Sequence, residues 1–219
     1  MATIHTGTTM VPTKLELLGD WLPRQPWYVA TGGPPQLSRA GGFRLDDPAG
    51  EVGIEFMVVT DAAGGGETAY LVPMTYRAGP LAGAEAGLIG TSEHGVLGTR
   101  WIYDGVHDPV AVTQLLEFIC GRVEAQQQSQ SDTRDPSVGR RWAPHGRLTV
   151  AGSLGVTNGE PARTSVAVES TDPAVAHVLD LVRVLEPSDG AADTALGRVD
   201  ADWTTLHGAT AQGPVAVVR

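Results

Sequence analysis

Lysine is nearly missing from this chain: Lys14 is the only one, and every other basic residue is an arginine or a histidine. No lysine beyond position 14 is therefore present for any chemistry. Cysteine is as scarce. Cys120 stands alone, which excludes an intramolecular disulfide, and its apolar setting in LLEFICG predicts a buried, inert thiol. Positive charge is short overall, with a net charge of −10 and a pI near 4.9. Phosphate backbones and anionic membranes need clustered positive charge, so the balance argues against a nucleic-acid or membrane partner. A neutral ligand such as a sugar, or a protein partner, fits better. Long apolar runs are missing too, and the opening MATIHTGTTMVPTK has neither a basic start nor an apolar stretch, so the chain reads as cytoplasmic.

What is present suits a soluble globular protein. The 42% hydrophobic and 18% charged fractions are ordinary, and 219 residues suffice for one large domain or two small ones. The 28 glycines and 15 prolines favour many short elements joined by turns. Aromatic residues are few, yet three of them fall in WLPRQPWY (21–28), beside Arg24 and Gln25 and around Pro23 and Pro26. The prolines forbid a regular helix through this stretch. Its rings can anchor the segment onto a sheet, or Trp21, Arg24, Gln25, Trp27 and Tyr28 can form a binding platform for a sugar.

Along the chain, TKLELLGD (13–20) predicts a short helix capped by Thr13 and ended at Gly19. A Gly/Pro loop is expected over 30–42. GGFRLDD, EVGIEFMVVTD and TAYLVPMTYR then read as a three-strand antiparallel meander, with Ile54, Phe56 and Val58 on one face and Glu55, Met57 and Val59 on the other. Pro73 predicts an edge position or a bulge. Residues 87–105 read as another hairpin, or as a loop into a strand at Trp101 and Tyr103. A helix is expected over 107–121, with Asp108 at its cap, Pro109 at its first position, Gly121 at its end and a stripe of Val112, Leu115, Leu116 and Ile119. The Gln/Ser-rich run 123–141 reads as a linker between a domain over 1–122 and a β-rich unit over 142–219. In that unit, 146–156, 163–170 and 214–219 are strand-like. Residues 173–186 start like a helix at Asp172 and Pro173 and end like a strand, and 186–205 reads mostly as loop. No internal repeat is visible.

The runs LELLGDWL and RQPWY, with Arg24, Gln25, Trp27 and Tyr28, resemble the start of the N-terminal cap domain of actinobacterial maltokinases and related sugar kinases. The order of elements after them is similar, and the resemblance covers residues 12–121. It implies an α+β fold: a curved antiparallel sheet with flanking helices, followed here by the smaller β-rich unit. It also implies a setting in α-glucan, maltose or trehalose metabolism. A kinase body needs a phosphate-holding lysine and a catalytic aspartate. HGRLTV (145–150) has Arg147 where such an aspartate would stand, so the expectation is a free-standing cap-like protein rather than an enzyme, with no cofactor.

Other constellations are weak. The six histidines are scattered, without HxH or HExxH spacing, so no metal is expected. His94 and His107 lie beside carboxylates in loops, as an acid–base pair or as solvated turn residues. Asp46, Asp47, Glu55 and Asp61 offer carboxylates without a pairing signal. RWIYDG (100–105) reads as strand packing. GRRWAPHGR (139–147) is the one basic cluster, and Arg140, Arg141 and Trp142 are candidates for an interface with an acidic partner or for internal pairing. The functional expectation is a non-catalytic binding or regulatory protein that engages a sugar-metabolism enzyme or itself. The alternative is a small sugar-binding protein or enzyme with a cleft beside residues 21–28.

Overall fold

A computed structural model describes residues 9–128, 130, 132–143, 147–152, 154–159, 162–171, 174–188 and 195–219. The chain is mostly antiparallel β structure with two short helices, an α+β arrangement in which the sheet dominates. The strands of the first half are β1 (Met10–Val11), β2 (Leu37–Asp46), β3 (Gly53–Asp61), β4 (Thr68–Arg77), β5 (Leu88–His94) and β6 (Gly98–Asp104). Helix α1 (Lys14–Trp21) lies between β1 and β2, and α2 (Pro109–Ile119) follows β6. The second half adds β7 (Val138–Trp142), β8 (Leu148–Val150), β9 (Val156–Gly159), β10 (Arg163–Thr171), β11 (Ala174–Val182), β12 (Val184–Leu185), β13 (Gly197–Thr204) and β14 (Thr210–Val218). Hydrogen bonding orders them β1-β5-β6-β4-β3-β2-β13-β14-β11-β10-β8, with β12 on β4, β7 on β13 and β9 on β10.

The meander forms as the alternation predicts, and both of its faces are covered. Ile54, Phe56 and Val58 enter a core with Leu115, Leu116 and Phe118 of α2, and this core continues into Leu179, Leu181, Val199 and Val217 of the second half. Met57 and Val59 point the other way, onto Leu18, Trp21, Leu22 and Trp27. Glu55 shares that second face and is buried. It accepts hydrogen bonds from Lys14 Nζ at 2.5 Å, the Tyr76 hydroxyl at 2.6 Å and Gln128 Nε2 at 2.9 Å. The only lysine thus clasps α1 to the sheet.

Both helices begin as expected. Thr13 and Glu16 exchange side-chain and backbone hydrogen bonds in a capping box, and Asp108 accepts from Val110 N–H at 3.0 Å with Pro109 at the first position. Gly19 does not end α1. The helix runs on to Trp21 and a 3-10 turn covers Leu22–Arg24, because a glycine in helical backbone costs only about 1 kcal/mol and Gln25 is the first extended residue. Cys120 is half-buried rather than buried, since it caps α2 just past its last packed turn.

Several other expectations are corrected. Residues 37–42, expected as loop, belong to β2, and pairing with β3 rather than local propensity makes them strand. A bulge between Arg39 and Gly41 requires the glycines there: Gly42 has φ +120°, and a Cβ on it would lie 2.1 Å from the Phe56 carbonyl oxygen. Pro73 lies inside β4, between β3 and β6, not at an edge. Leu71 N–H donates to the Arg183 carbonyl, so Pro73 two residues on turns its missing donor the same way, into the gap between β12 and β6. Residues 174–182 are strand throughout, and Asp172 and Pro173 lie outside the described residues. Most of 197–204, expected as loop, is β13, where Val199, Ala201 and Trp203 alternate inward.

The run 123–141 also carries structure. Gln126 bridges Arg44 and Arg134, Ala125 is buried in the common core, and β7 pairs with β13. Ser129 and Ser131 lie outside the described residues. The two halves meet where Gly41 pairs with Trp203 and where Val184 and Leu185 pair with Tyr70 and Ala69.

Candidate functional site

Trp21, Leu22 and Trp27 hold WLPRQPWY against the sheet, while Pro23 and Pro26 are exposed. Trp21 is 4% exposed and Trp27 7%, and their rings meet edge-on with centroids 5.8 Å apart. Trp27 leans on Tyr70 at 6.0 Å, and Tyr28 stacks on the same Tyr70 at 5.6 Å. The Tyr28 hydroxyl donates to Asp61 Oδ2 at 2.9 Å. Partial burial, and then the Asp61 carboxylate, push the Tyr28 phenol up to about 12. Arg24 and Gln25 do not reach into a site: Arg24 Nε donates to the Asp20 carbonyl and Gln25 Nε2 to the Trp21 carbonyl. Both serve to close the turn.

Trp27 also covers a fully buried cation. The Arg183 guanidinium lies 5.0 Å from its ring centroid, within cation–π range. Arg183 is 0% exposed, donates to Asp104 Oδ2 at 2.6 Å and to Thr164 Oγ1 at 2.8 Å, and leaves Nη1 without a partner. One side chain from the β11–β12 bend thereby ties together β6, β10 and the aromatic segment.

Beside this junction is a cleft of about 720 Å³. One wall is Pro26, Trp27, Tyr28 and Val29, and the other comes from β9, β10 and the segment that runs from Val182 through Val184 to Glu186 and Ser188. Of the five binding candidates from the sequence, Trp27 and Tyr28 line it, while Trp21, Arg24 and Gln25 do not. Asn158, Arg163 and Glu186 were not among those candidates. They lie 130 residues or more further along, in segments whose local pattern reads only as strand or loop, and folding alone brings them to Tyr28.

Most of the remaining candidates make contacts within the chain. Arg140 donates to the Val123 carbonyl and to Glu124, and covers the Phe118 ring at 4.8 Å. Arg141 is exposed, and Trp142 packs on Gly197 and edge-on to His177. Arg147 pairs with Glu117 at 2.7 Å, while His145 and Gly146 of the HGRL run lie outside the described residues, as does His5. His94 accepts from Val96 and Leu97 N–H as a turn residue. His107 sits past the far end of β6, about 20 Å away along a seven-residue strand, so the two do not form a pair. Burial lowers the His107 pKa, against the pull of Asp104. Asp47 organises a turn through Ala49, Glu51 and Val52 N–H, and Asp61 holds Tyr28, Gln36 and Ala63. Tyr103 is buried, with its hydroxyl accepting from Leu81 N–H. Among the described residues no group of three or more His, Cys, Asp or Glu is placed to hold a metal ion, and no helix is long and apolar enough to cross a membrane.

Residues 21–108 match the model of the maltokinase N-terminal cap domain family. The match starts at Trp21, so it includes WLPRQPWY, and it ends at Asp108 before α2. It covers less than half of the chain and is shorter than the stretch 12–121 that the sequence resemblance suggests. A search of curated proteins finds no match.

Proposed function

We propose that this protein is a non-catalytic binding or regulatory component of α-glucan, maltose or trehalose metabolism, acting in the cytoplasm through a sugar-metabolism enzyme or through itself. The observation that carries this reading is the cap-family match over residues 21–108, in which Trp21, Leu22 and Trp27 serve packing rather than chemistry. Arg147 supports it, because a cation at that position accepts no proton and here pairs with Glu117. In this reading the cap-like residues 1–122 and the β-rich residues 142–219 are two units joined through 123–141. Incubation with maltose and Mg·ATP, followed by phosphorus NMR, is expected to yield no maltose 1-phosphate. Its formation would overturn the non-catalytic reading.

The cleft favours a second reading, a small sugar-binding protein. Trp27 and Tyr28 line a concavity that Glu186, Asn158 and Arg163 also line, so aromatic and polar residues share one cleft.

A further inference from the structure

We infer that the cleft between Tyr28 and Arg163 is a binding site for a neutral saccharide of one to three rings. This deepens the reading of the protein as a binding module and rests on it. Size comes first: about 720 Å³ lies inside the range of about 300–1,000 Å³ typical of small-molecule sites.

Charge decides the ligand class. Glu186 is exposed and has no hydrogen-bond or ion-pair partner among the described residues. Arg163 is held only loosely, with Nη1 3.7 Å from Asp180. A carboxylate and a guanidinium in one cleft disfavour a strongly anionic or cationic ligand, because one of them would always face like charge. A polyol satisfies both, since its hydroxyls donate to the carboxylate and accept from the guanidinium. Asn158 adds an amide. Its Oδ1 already accepts from Thr164 at 2.9 Å, which leaves its N–H groups for the ligand.

Tyr28, half-buried in the wall, supplies the apolar counterpart, a surface for the C–H face of a pyranose, and the buried Trp27 backs that wall. That wall is held before any ligand arrives. Tyr28 is fixed by Asp61 and Tyr70, and Trp27 by Tyr70 and the buried Arg183, so little side-chain entropy remains to be lost on binding.

The test is isothermal titration of the full chain with glucose, maltose, maltotriose and maltose 1-phosphate, repeated on Glu186→Gln and Asn158→Ala. At least one neutral sugar is expected to bind, with affinity falling tenfold or more in Glu186→Gln and less in Asn158→Ala. The unliganded melting temperature should stay unchanged in Glu186→Gln, whose carboxylate has no partner to lose. Absence of heat with all three neutral sugars at millimolar concentration overturns the inference. So does binding that both variants leave intact, or tighter binding of maltose 1-phosphate than of maltose. Sugar binding lost in Glu186→Gln, together with phosphate transfer to maltose, would uphold the cleft and overturn only the non-catalytic reading. No sugar binding and no transfer would remove the ligand class and leave the regulatory reading standing.

Discussion

Replacing Arg183 by methionine keeps most of the side chain's volume and deletes its charge. Asp104, itself buried, would lose its 2.6 Å partner, and Thr164 its donor. Removing one member of a buried ion pair costs about 3–5 kcal/mol, because the remaining charge stays desolvated. The cation–π contact with Trp27 at 5.0 Å adds up to about 2 kcal/mol. The contact and the pair share one guanidinium, so the two figures are not summed and about 4 kcal/mol is the working expectation. For a chain of this size that lowers the melting temperature by roughly 8–16 °C. Urea unfolding, followed by tryptophan fluorescence and by circular dichroism, measures it. The double variant Arg183→Met with Asp104→Leu should recover much of the loss, since a buried pair replaced by apolar groups is often near neutral. A loss under about 1 kcal/mol in Arg183→Met, or a double variant no more stable than the single one, would refute the argument that this pair locks the two halves.

Three further outcomes follow from burial and backbone geometry. Burial alone would raise the Glu55 pKa, but Lys14, Tyr76 and Arg39 outweigh it and hold the carboxyl below its ordinary 4.5. The unfolded chain therefore binds the proton more readily, so this contribution is complete above about pH 4.5 and is lost as the pH falls through the lower folded value. Glu55→Gln should destabilise the protein at pH 7 and cost progressively less below about pH 4.5, as melting temperatures across that range would show; a constant difference would contradict it. Gly42→Ala should cost about 3 kcal/mol or more in urea unfolding, because of its positive φ and the 2.1 Å approach to the Phe56 carbonyl. Gly19→Ala, in helical backbone with open space around it, should instead gain up to about 1 kcal/mol.

Local pattern was enough for whatever depends on near neighbours. The cap at Thr13, the cap at Asp108 and the alternation of Ile54, Phe56 and Val58 come from short-range chemistry and are legible in the sequence, while the hairpin at 88–104 is one of the two readings its pattern allowed. The cap resemblance was legible for the same reason, since WLPRQPWY is a contiguous run. Tertiary structure alone decided the rest. Residues 37–42 and 197–204 look like loop because glycine, serine and aspartate carry weak strand propensity, and cross-strand pairing overrides it. Pro73 is tolerated inside a sheet only because β12 and β6 leave a gap opposite its nitrogen. The cleft is the clearest case. Tyr28 and Trp27 announce themselves as aromatics, but Asn158, Arg163 and Glu186 come to line a cleft with them only when the second half packs beside residues 26–29, and no spacing in a linear chain encodes a meeting across 130 residues or more.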